Sequence, residues 1–178
     1  MSTARAPMVI VLMGVSSSGK STTGLRLAEL LGWPFRDADS FHPPANIEKM
    51  SRGVPLDDAD RAPWLEAIAR WIDGQLATGA SGIVSCSALK RDYRRVIVGA
   101  REGVRLVYLV GSKELIAGRM RARRDHFMPV SLLDNQFAVL EEPGADEHAI
   151  VVPVAMSPRK VLAAIIGRLG LEPLPAIG

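Results

Sequence analysis

The sequence lacks several features that would point to particular classes of protein. It contains one cysteine, Cys86, so it cannot form an internal disulfide, and we expect a reducing, cytoplasmic location. No apolar run approaches the roughly 20 residues that a membrane-spanning helix needs, and no membrane partner is expected. The apolar run near the N-terminus leads straight into the loop described below, so we do not interpret it as a signal peptide.

The chain is also poor in aromatic residues and nearly balanced in charge. Aromatic residues make up 5% of it and the formal net charge is +3. Basic residues are concentrated between Arg91 and Arg124, with few aromatic side chains among them to stack on bases. We therefore expect an anionic small substrate and no nucleic acid. Hydrophobic residues at 48% and charged residues at 23% indicate one globular domain over residues 1–178.

The most informative motif is a complete phosphate-binding loop. It reads Gly14-Val15-Ser16-Ser17-Ser18-Gly19-Lys20-Ser21, of the form G-x-x-x-x-G-K-[ST]. An apolar run precedes it and a helical pattern beginning near Thr22 follows it, which is the context that such a loop requires. Backbone N–H groups and the helix N-terminus would bind the phosphates. We predict that residues 14–22 bind ATP, that Lys20 reaches the β- and γ-phosphates as a catalytic residue, and that Ser21 is a ligand of Mg²⁺.

Apolar runs alternate with helical patterns along the chain. We predict strands at 8–13, 33–37, 82–86, 104–110 and 149–154, and helices at 20–31, 60–77, 90–100, 113–123 and 158–169. Such alternation predicts parallel strands joined by right-handed crossovers. The predicted fold is therefore α/β, a three-layer α/β/α sandwich around a five-stranded parallel sheet. Apolar residues at helical spacing, from Trp64 to Ile72, predict one buried face of the second long helix.

Two segments, 38–62 and 119–144, do not fit a bare nucleotide-binding core. Both follow expected strand or helix ends on the side of the sheet where α/β proteins bind ligands. The first, with a short helical pattern near 45–50, is predicted to hold the phosphate acceptor. The second is predicted to close over the triphosphate as a lid that excludes water.

Two carboxylates, Asp37 and Asp39, stand at the end of the weakest predicted strand. Phosphoryl transfer needs a carboxylate near Mg²⁺ and, for an alcohol acceptor, a base that orients the hydroxyl. We predict that Asp37 holds the metal through water and that Asp39 accepts the proton of the acceptor. A solvated turn is the alternative, since aspartate is common in turns.

Beyond these motifs, the chain resembles the gluconate kinases, which are shikimate-kinase-like P-loop kinases of small molecules. The resemblance spans roughly residues 8 to 165. Besides the phosphate loop, its blocks are Asp37–Met50, Gly53–Leu65, Cys86–Arg94, Arg119–Phe127 and Gln136–Pro143. The first and third of these are much more specific than the loop. The resemblance implies transfer of the ATP γ-phosphate, with Mg²⁺, to the 6-hydroxyl of D-gluconate.

The resemblance also implies which residues form the acceptor site. Arg61 stands where the related shikimate kinases keep an arginine that binds a carboxylate, and a guanidinium can bind a carboxylate through two parallel hydrogen bonds. The other implied substrate-binding residues are Asp39, His42, Ser87, Lys90, Arg94 and Gln136. For each of these singly, a surface or capping role remains open.

In the predicted lid, Arg119 and Arg123 are four residues apart and would share one helix face. We predict that both bind ATP at its phosphates and that Arg123 is catalytic, since arginine charge stabilises a transferring phosphoryl group. Arg124 is a third candidate for contact with the phosphates, and we prefer Arg119 and Arg123 to it. The turn at 153–158 lies where relatives of this fold cradle adenine.

Three functions remain open at this point. The first is gluconate kinase; the second is a kinase for a related sugar acid or another small alcohol. Shikimate is disfavoured because Ser85-Cys86-Ser87 stands where shikimate kinases carry a glycine triplet. The third is a regulatory nucleotide-binding module, for which Asp39 and the arginine-rich lid would be superfluous. The resemblance allows a homodimer, but no pattern in the sequence separates an interface from the core.

Overall fold

The computed structural model describes residues 5–123 and 130–175. Within these ranges the strands are β1 (Val9–Met13), β2 (Phe35–Asp37), β3 (Gly82–Ser85), β4 (Val104–Val110) and β5 (Ile150–Pro153). The α-helices are α1 (Lys20–Leu31), α2 (Pro44–Ser51), α3 (Asp58–Ala77), α4 (Arg91–Ile97), α5 (Lys113–Ala122), α6 (Val130–Val139) and α7 (Pro158–Leu169). Two short 3-10 helices lie at Ala38–Phe41 and Ala145–Glu147.

The strands form one parallel sheet in the order β2-β3-β1-β4-β5. Strand β1 is the third of the five and is buried along its whole length. Because of this central position, the loop that follows β1 emerges at the middle of the carboxyl edge of the sheet. The register places Asp37 of β2 directly opposite Ser85 of β3. This pairing brings the first predicted carboxylate beside the phosphate loop.

Two apolar cores cover the two faces of the sheet. Ile10 and Leu12 of β1 belong to the core that includes residues of α1, α5 and α7. Val9, Val11 and Met13 belong to the other, which includes residues of α3 and α4. The alternation follows from the two-residue period of a strand. It confirms the predicted three-layer sandwich.

Capping residues fix the helices that border the site. Helix α1 starts immediately after Gly19 and ends at Leu31, and Gly32 caps it with a φ of 67° that suits a glycine. Helix α3 starts after Asp57, which forms a capping box with Asp60. The predicted apolar face of α3 is buried at Trp64, Leu65, Ile68 and Ile72.

All five predicted strands and all five predicted long helices are present, with ends that differ by a few residues. The main difference is α6, which occupies part of the segment 119–144 where no helix was predicted. Residues 124–129, including the candidate Arg124, lie outside the described residues. In the part of the chain that the structure describes, no helix combines the length and apolar character needed to cross a bilayer.

Candidate active site

A cleft of about 880 Å³ opens at the carboxyl edge of the sheet. Its walls are the phosphate loop, the segment from Asp37 to Arg61, the turn after β3, the end of α5, and α6. The structure brings most of the predicted site residues to this cleft. Those that line it are Ser16, Ser17, Lys20, Ser21, Asp37, Asp39, His42, Arg61, Ser87, Lys90, Arg123 and Gln136.

The phosphate loop has the tight backbone that its glycines predict. A Cβ on Gly14 would lie 2.7 Å from the Ser18 Oγ and 2.8 Å from the Leu109 carbonyl oxygen, at a φ of +152°. Gly19 has a φ of +94°, and Ser17 is left-handed at 63°. A side chain at Gly14 would therefore clash with the loop itself.

The Lys20 side chain folds back over the phosphate loop to which it belongs. Its Nζ donates to the Val15 carbonyl oxygen at 2.9 Å. Burial lowers the pKa of Lys20 from 10.5 to about 8, although the carboxylates of Asp37 and Asp39 act in the opposite direction. A polyphosphate would favour the charged lysine because it brings opposite charge close to the ammonium.

Asp37 is the most heavily hydrogen-bonded acid of the cleft floor. Its Oδ2 accepts from the hydroxyls of Ser21 at 2.7 Å and Ser85 at 3.0 Å, and its Oδ1 accepts from the Asp39 N–H at 3.0 Å. Burial opposes ionisation, but these hydrogen bonds outweigh it and lower the pKa of Asp37. An ionised carboxylate beside a hydroxyl is a hard oxygen donor set that fits Mg²⁺, which binds few protein ligands and retains waters.

Asp39 points into the cleft from the 3-10 helix that follows β2. Partial burial and the nearby Asp37 carboxylate raise the pKa of Asp39. Its Oδ1 lies 3.9 Å from the Nε2 of His42. A carboxylate with a raised pKa accepts a proton more readily, as a general base must.

His42 forms the wall behind Asp39. Its ring stacks on Trp64 with centroids 4.6 Å apart at 11°, and 6% of its side chain is exposed. Burial lowers the pKa of His42, which favours the neutral imidazole. The Asn46 side-chain amide lies 3.4 Å from Nδ1. As a donor there, Asn46 would leave Nε2 protonated towards Asp39.

Four side chains form what we call the charged wall: Arg61, Lys90 and Tyr93, which line the cleft, and Asp58, which is not among the lining residues but contacts all three. The Arg61 Nη1 donates to the Tyr93 oxygen at 3.0 Å, and the Tyr93 hydroxyl donates to the Asp58 Oδ1. The Lys90 Nζ donates to the two Asp58 oxygens at 3.1 and 3.3 Å. Two predicted substrate-binding cations are thus held by two residues that the sequence did not single out.

Ser87 lies on a strained turn that joins the charged wall to the phosphate loop. Its carbonyl oxygen accepts from the Gly14 N–H at 3.3 Å. The next residue, Ala88, is buried with a φ of 47°, an uncommon conformation for a residue with a Cβ. The turn orients both Ser87 and Lys90 towards the cleft.

Arg94 corrects the sequence prediction, because it does not line the cleft. It is 1% exposed, and its guanidinium donates to both carboxylate oxygens of Glu147, at 2.6 and 3.0 Å. It also donates to the carbonyl oxygens of Ala88 and Leu89 at 2.9 and 3.3 Å. Arg94 therefore supports the turn that carries Ser87. It borders a separate cavity of about 500 Å³, where Arg91, Arg94, Arg95 and Arg101 are each paired with an acid and Arg105 donates to the carbonyl oxygens of Glu102 and Val104.

Gln136, Arg119 and Arg123 have surroundings that the sequence did not predict, and their predicted contacts with substrate and ATP stay predictions. Gln136 accepts from the Ser16 N–H at 2.6 Å and donates to the Ser16 Oγ at 2.8 Å, so its amide is engaged by the phosphate loop. Arg123 lines the cleft, but it lies just beyond α5 in extended backbone. Arg119 donates instead to the Val154 carbonyl oxygen, at the turn implied for adenine. The expected shared helix face does not exist because α5 ends at Ala122.

Residues that the sequence did not suggest complete the cleft. Ser85 holds Asp37, and Trp64 supports His42. Tyr93 stands three positions after Lys90 within one of the resemblance blocks, and that spacing was the available signal for it. Asp58 stands three positions before Arg61 within another of these blocks, although its contacts with Lys90 and Tyr93 span 32 and 35 positions.

The cleft combines a phosphate loop and its lysine with one carboxylate suited to Mg²⁺ and a second carboxylate near the cationic side chains. This combination is typical of a P-loop small-molecule kinase. Comparison with known proteins agrees: a family model described as shikimate kinase matches residues 16–156. The gluconokinase of Gluconobacter oxydans (strain 621H) is 46% identical over 166 residues, which cover 93% of each chain. The chain therefore belongs to the gluconokinases within the shikimate kinase family.

Solved structures agree with this membership. A gluconokinase from Sinorhizobium meliloti 1021 superposes with a TM-score of 0.79 at 44% identity, covering 93% of both chains. An unliganded sugar kinase from Janibacter sp. HTCC2649 has a TM-score of 0.84 at 43% identity, covering 93% of this chain and 95% of that one. The predicted fold and family are confirmed.

Proposed function

We propose that this protein transfers the γ-phosphoryl group of ATP to the 6-hydroxyl group of D-gluconate, producing 6-phosphogluconate and ADP. Family membership supports the reaction class, and one observation carries the acceptor: Asp39 shares a cleft with two cationic side chains, Arg61 and Lys90. A short polyol with a carboxylate at one end presents groups suited to both. Its acid would lie at the charged wall and its terminal hydroxyl near Asp39.

The transfer step follows from this orientation. Asp39 accepts the proton of the 6-hydroxyl as the oxygen bonds to the γ-phosphorus, and the bond from that phosphorus to the bridging oxygen of ADP breaks. The ammonium of Lys20 and the guanidinium of Arg123 offset the negative charge on the transferring group. Ser87 and His42 add neutral hydrogen-bonding groups along the acceptor.

The nucleotide side of the proposal uses the phosphate loop and Asp37. Ser21 and Asp37 would hold Mg²⁺, which neutralises phosphate charge when bound. Gln136 holds Ser16 of the loop in place. The lid role of the segment 119–144 and the ATP contact of Arg119 stay predictions. Closure of the lid would exclude the water that competes with the acceptor. The lid would also carry Arg119 to the phosphates of ATP.

The test is ADP release by the purified protein with ATP and Mg²⁺. The acceptors are D-gluconate, related sugar acids, shikimate and none. We expect turnover that strongly favours D-gluconate, and phosphorus NMR of the product should show a phosphomonoester on carbon 6. A substitution of Arg61 by alanine should raise the KM for gluconate more than the KM for ATP.

Other outcomes would redirect the proposal. Turnover with a different acceptor would keep the kinase mechanism and reject gluconate as the substrate. Absence of acceptor-dependent turnover despite ATP binding would reject catalysis and favour a regulatory nucleotide-binding role. An effect of Arg61→Ala on ATP alone would reject its role in binding the carboxylate.

A further inference from the structure

Tyr93 lies at the centre of the charged wall, between its two cations. The Arg61 guanidinium carbon is 5.7 Å from the centre of the Tyr93 ring and the Lys90 Nζ is 5.4 Å from it. The phenol oxygen accepts from Arg61 and its hydroxyl donates to Asp58. One side chain therefore contacts every other member of the wall.

Asp58 fixes the direction of these hydrogen bonds. The phenol oxygen of Tyr93 accepts from the guanidinium of Arg61, which has no acceptor atom, so the phenol proton is free to point to the carboxylate. Hydrogen bonds from Tyr93 and Lys90 lower the pKa of Asp58, and burial together with Asp58 raises the pKa of Tyr93. Asp58 is thus the anion of the wall and Tyr93 its neutral donor.

The charges of the wall match an acceptor with one acid group. Arg61 and Lys90 contribute two positive charges and Asp58 one negative charge, which leaves one positive charge in excess. The Arg61 guanidinium has five N–H groups and donates one of them to Tyr93, so the others remain available to bind a carboxylate. Arg61 and Lys90 keep about a third of their side chains exposed, at 34% and 32%.

We propose that Tyr93, held by Asp58, is a positioning residue that orients the Arg61 guanidinium for the carboxylate of the acceptor. This inference rests on the proposed function, since it assigns the part of the cleft that recognises the acid end of a sugar acid. The Tyr93 phenol acts through Arg61 and does not itself touch the reacting atoms. Its loss should therefore affect acceptor binding and leave the transfer step intact.

The first test is Tyr93→Phe, which removes one hydroxyl and keeps the ring between its two cations. We expect the KM for gluconate to rise about tenfold, the size of one hydrogen bond to a charged group. The kcat and the KM for ATP should stay within about twofold of wild type. The matched control is Tyr108→Phe, because Tyr108 is the other tyrosine, lies in β4 and donates to Glu142 away from the cleft. Its kinetics should be unchanged.

A double-mutant cycle tests whether the phenol acts through Arg61. Arg61→Lys keeps the charge but loses the planar fork. In that background, Tyr93→Phe should change the KM for gluconate by less than about twofold, because no guanidinium remains to be oriented. An equal tenfold effect in both backgrounds would overturn the positioning role. So would an unchanged KM in Tyr93→Phe, a matching rise in Tyr108→Phe, or a loss confined to kcat.

The two proposals fail in different ways. If the wild-type protein does not phosphorylate gluconate, the proposed function is wrong and the wall recognises another acceptor or none. If the wild type turns over gluconate and Tyr93→Phe matches it, the function stands and only the role of Tyr93 is rejected.

Discussion

The phosphate loop and the charged wall face the same cleft but are built in opposite ways. The loop is eight consecutive residues, and it would bind its ligand largely through backbone N–H groups fixed by the path of the chain between β1 and α1. The wall takes Asp58 and Arg61 from α3, and Lys90 and Tyr93 from the start of α4, and it works through side chains. A binding site formed by a local backbone motif can therefore be predicted directly from the sequence. A binding site assembled from side chains of distant segments cannot.

The two regions also differ in how the protein treats their charges. Burial disfavours the ionised form of Lys20 at the reacting centre. Partners instead favour the ionised forms of Asp58 in the wall and of Glu147 behind it. The reacting centre should therefore cost stability while the surrounding ion pairs offset that cost. Lys20→Met and Glu147→Gln test this contrast in stability, and Asp39→Asn tests the chemistry of the reacting centre.

The largest effect is expected for Asp39→Asn. Loss of the general base should lower kcat by about 10² to 10⁴ fold. The KM for ATP should change little, because the phosphate loop does not depend on this side chain. Steady-state kinetics and direct nucleotide binding measure the two quantities separately. Asp92→Asn is the control, since Asp92 is exposed outside the cleft. A wild-type kcat in Asp39→Asn would remove Asp39 from the mechanism.

Lys20→Met should lose activity and gain stability. We expect turnover to fall by about 10² to 10³ fold, as when one preorganised charge-stabilising donor is removed. Burial lowers the pKa of Lys20 from 10.5 in the unfolded chain to about 8 in the fold. The unfolded state then binds more protons between these values. The cost of burying the charged lysine is fully present below pH 8 and is lost as the pH rises towards 10.5.

The unliganded Lys20→Met protein should therefore be more stable than wild type at pH 7, by at most about 3 kcal/mol. The difference should shrink as the pH rises through the window above 8. Urea unfolding at several pH values measures it. Parallel stability curves for the two proteins would contradict the assigned pKa.

The sequence predicted the residues whose roles are local. Gly14 to Ser21 adopt the expected loop because glycine positions and the flanking strand and helix dictate it. Asp37 and Asp39 could be placed because they follow a strand directly, and parallel strands end at one edge. The order of the strands, which sets Ser85 opposite Asp37, was not predicted from these local patterns.

The side chains whose surroundings the sequence did not predict have partners that are distant in the chain. Lys90 and Arg94 are four positions apart, and both were predicted to bind the substrate. Helix α4, however, begins at Arg91, and Lys90 is its N-cap. Lys90 therefore lines the cleft and contacts Asp58, while Arg94 turns inwards to Glu147, 53 positions later. Gln136 contacts Ser16 across 120 positions. No local pattern carries such information.

Glu147→Gln tests the contribution of the buried Arg94–Glu147 pair without changing any residue of the charged wall. The Arg94 guanidinium is almost fully buried, so it would lose the charge of its main partner, at a cost of up to about 3 kcal/mol. Hydrogen bonds from Arg94 lower the pKa of Glu147, whose ordinary value is 4.5. The stability from this pair is present above that pH and is lost as the pH falls through the lowered pKa.

The matched change is Asp92→Asn, which breaks an exposed pair between Asp92 and Arg95 at 2.8 Å. It should cost less than about 1 kcal/mol, because exposed ion pairs are screened and mobile. Glu147→Gln should also raise the KM for gluconate, since Arg94 holds the carbonyl oxygens of the turn that carries Ser87 and Lys90. Equal free energies of unfolding for the two variants would show that the buried pair does not stabilise this turn.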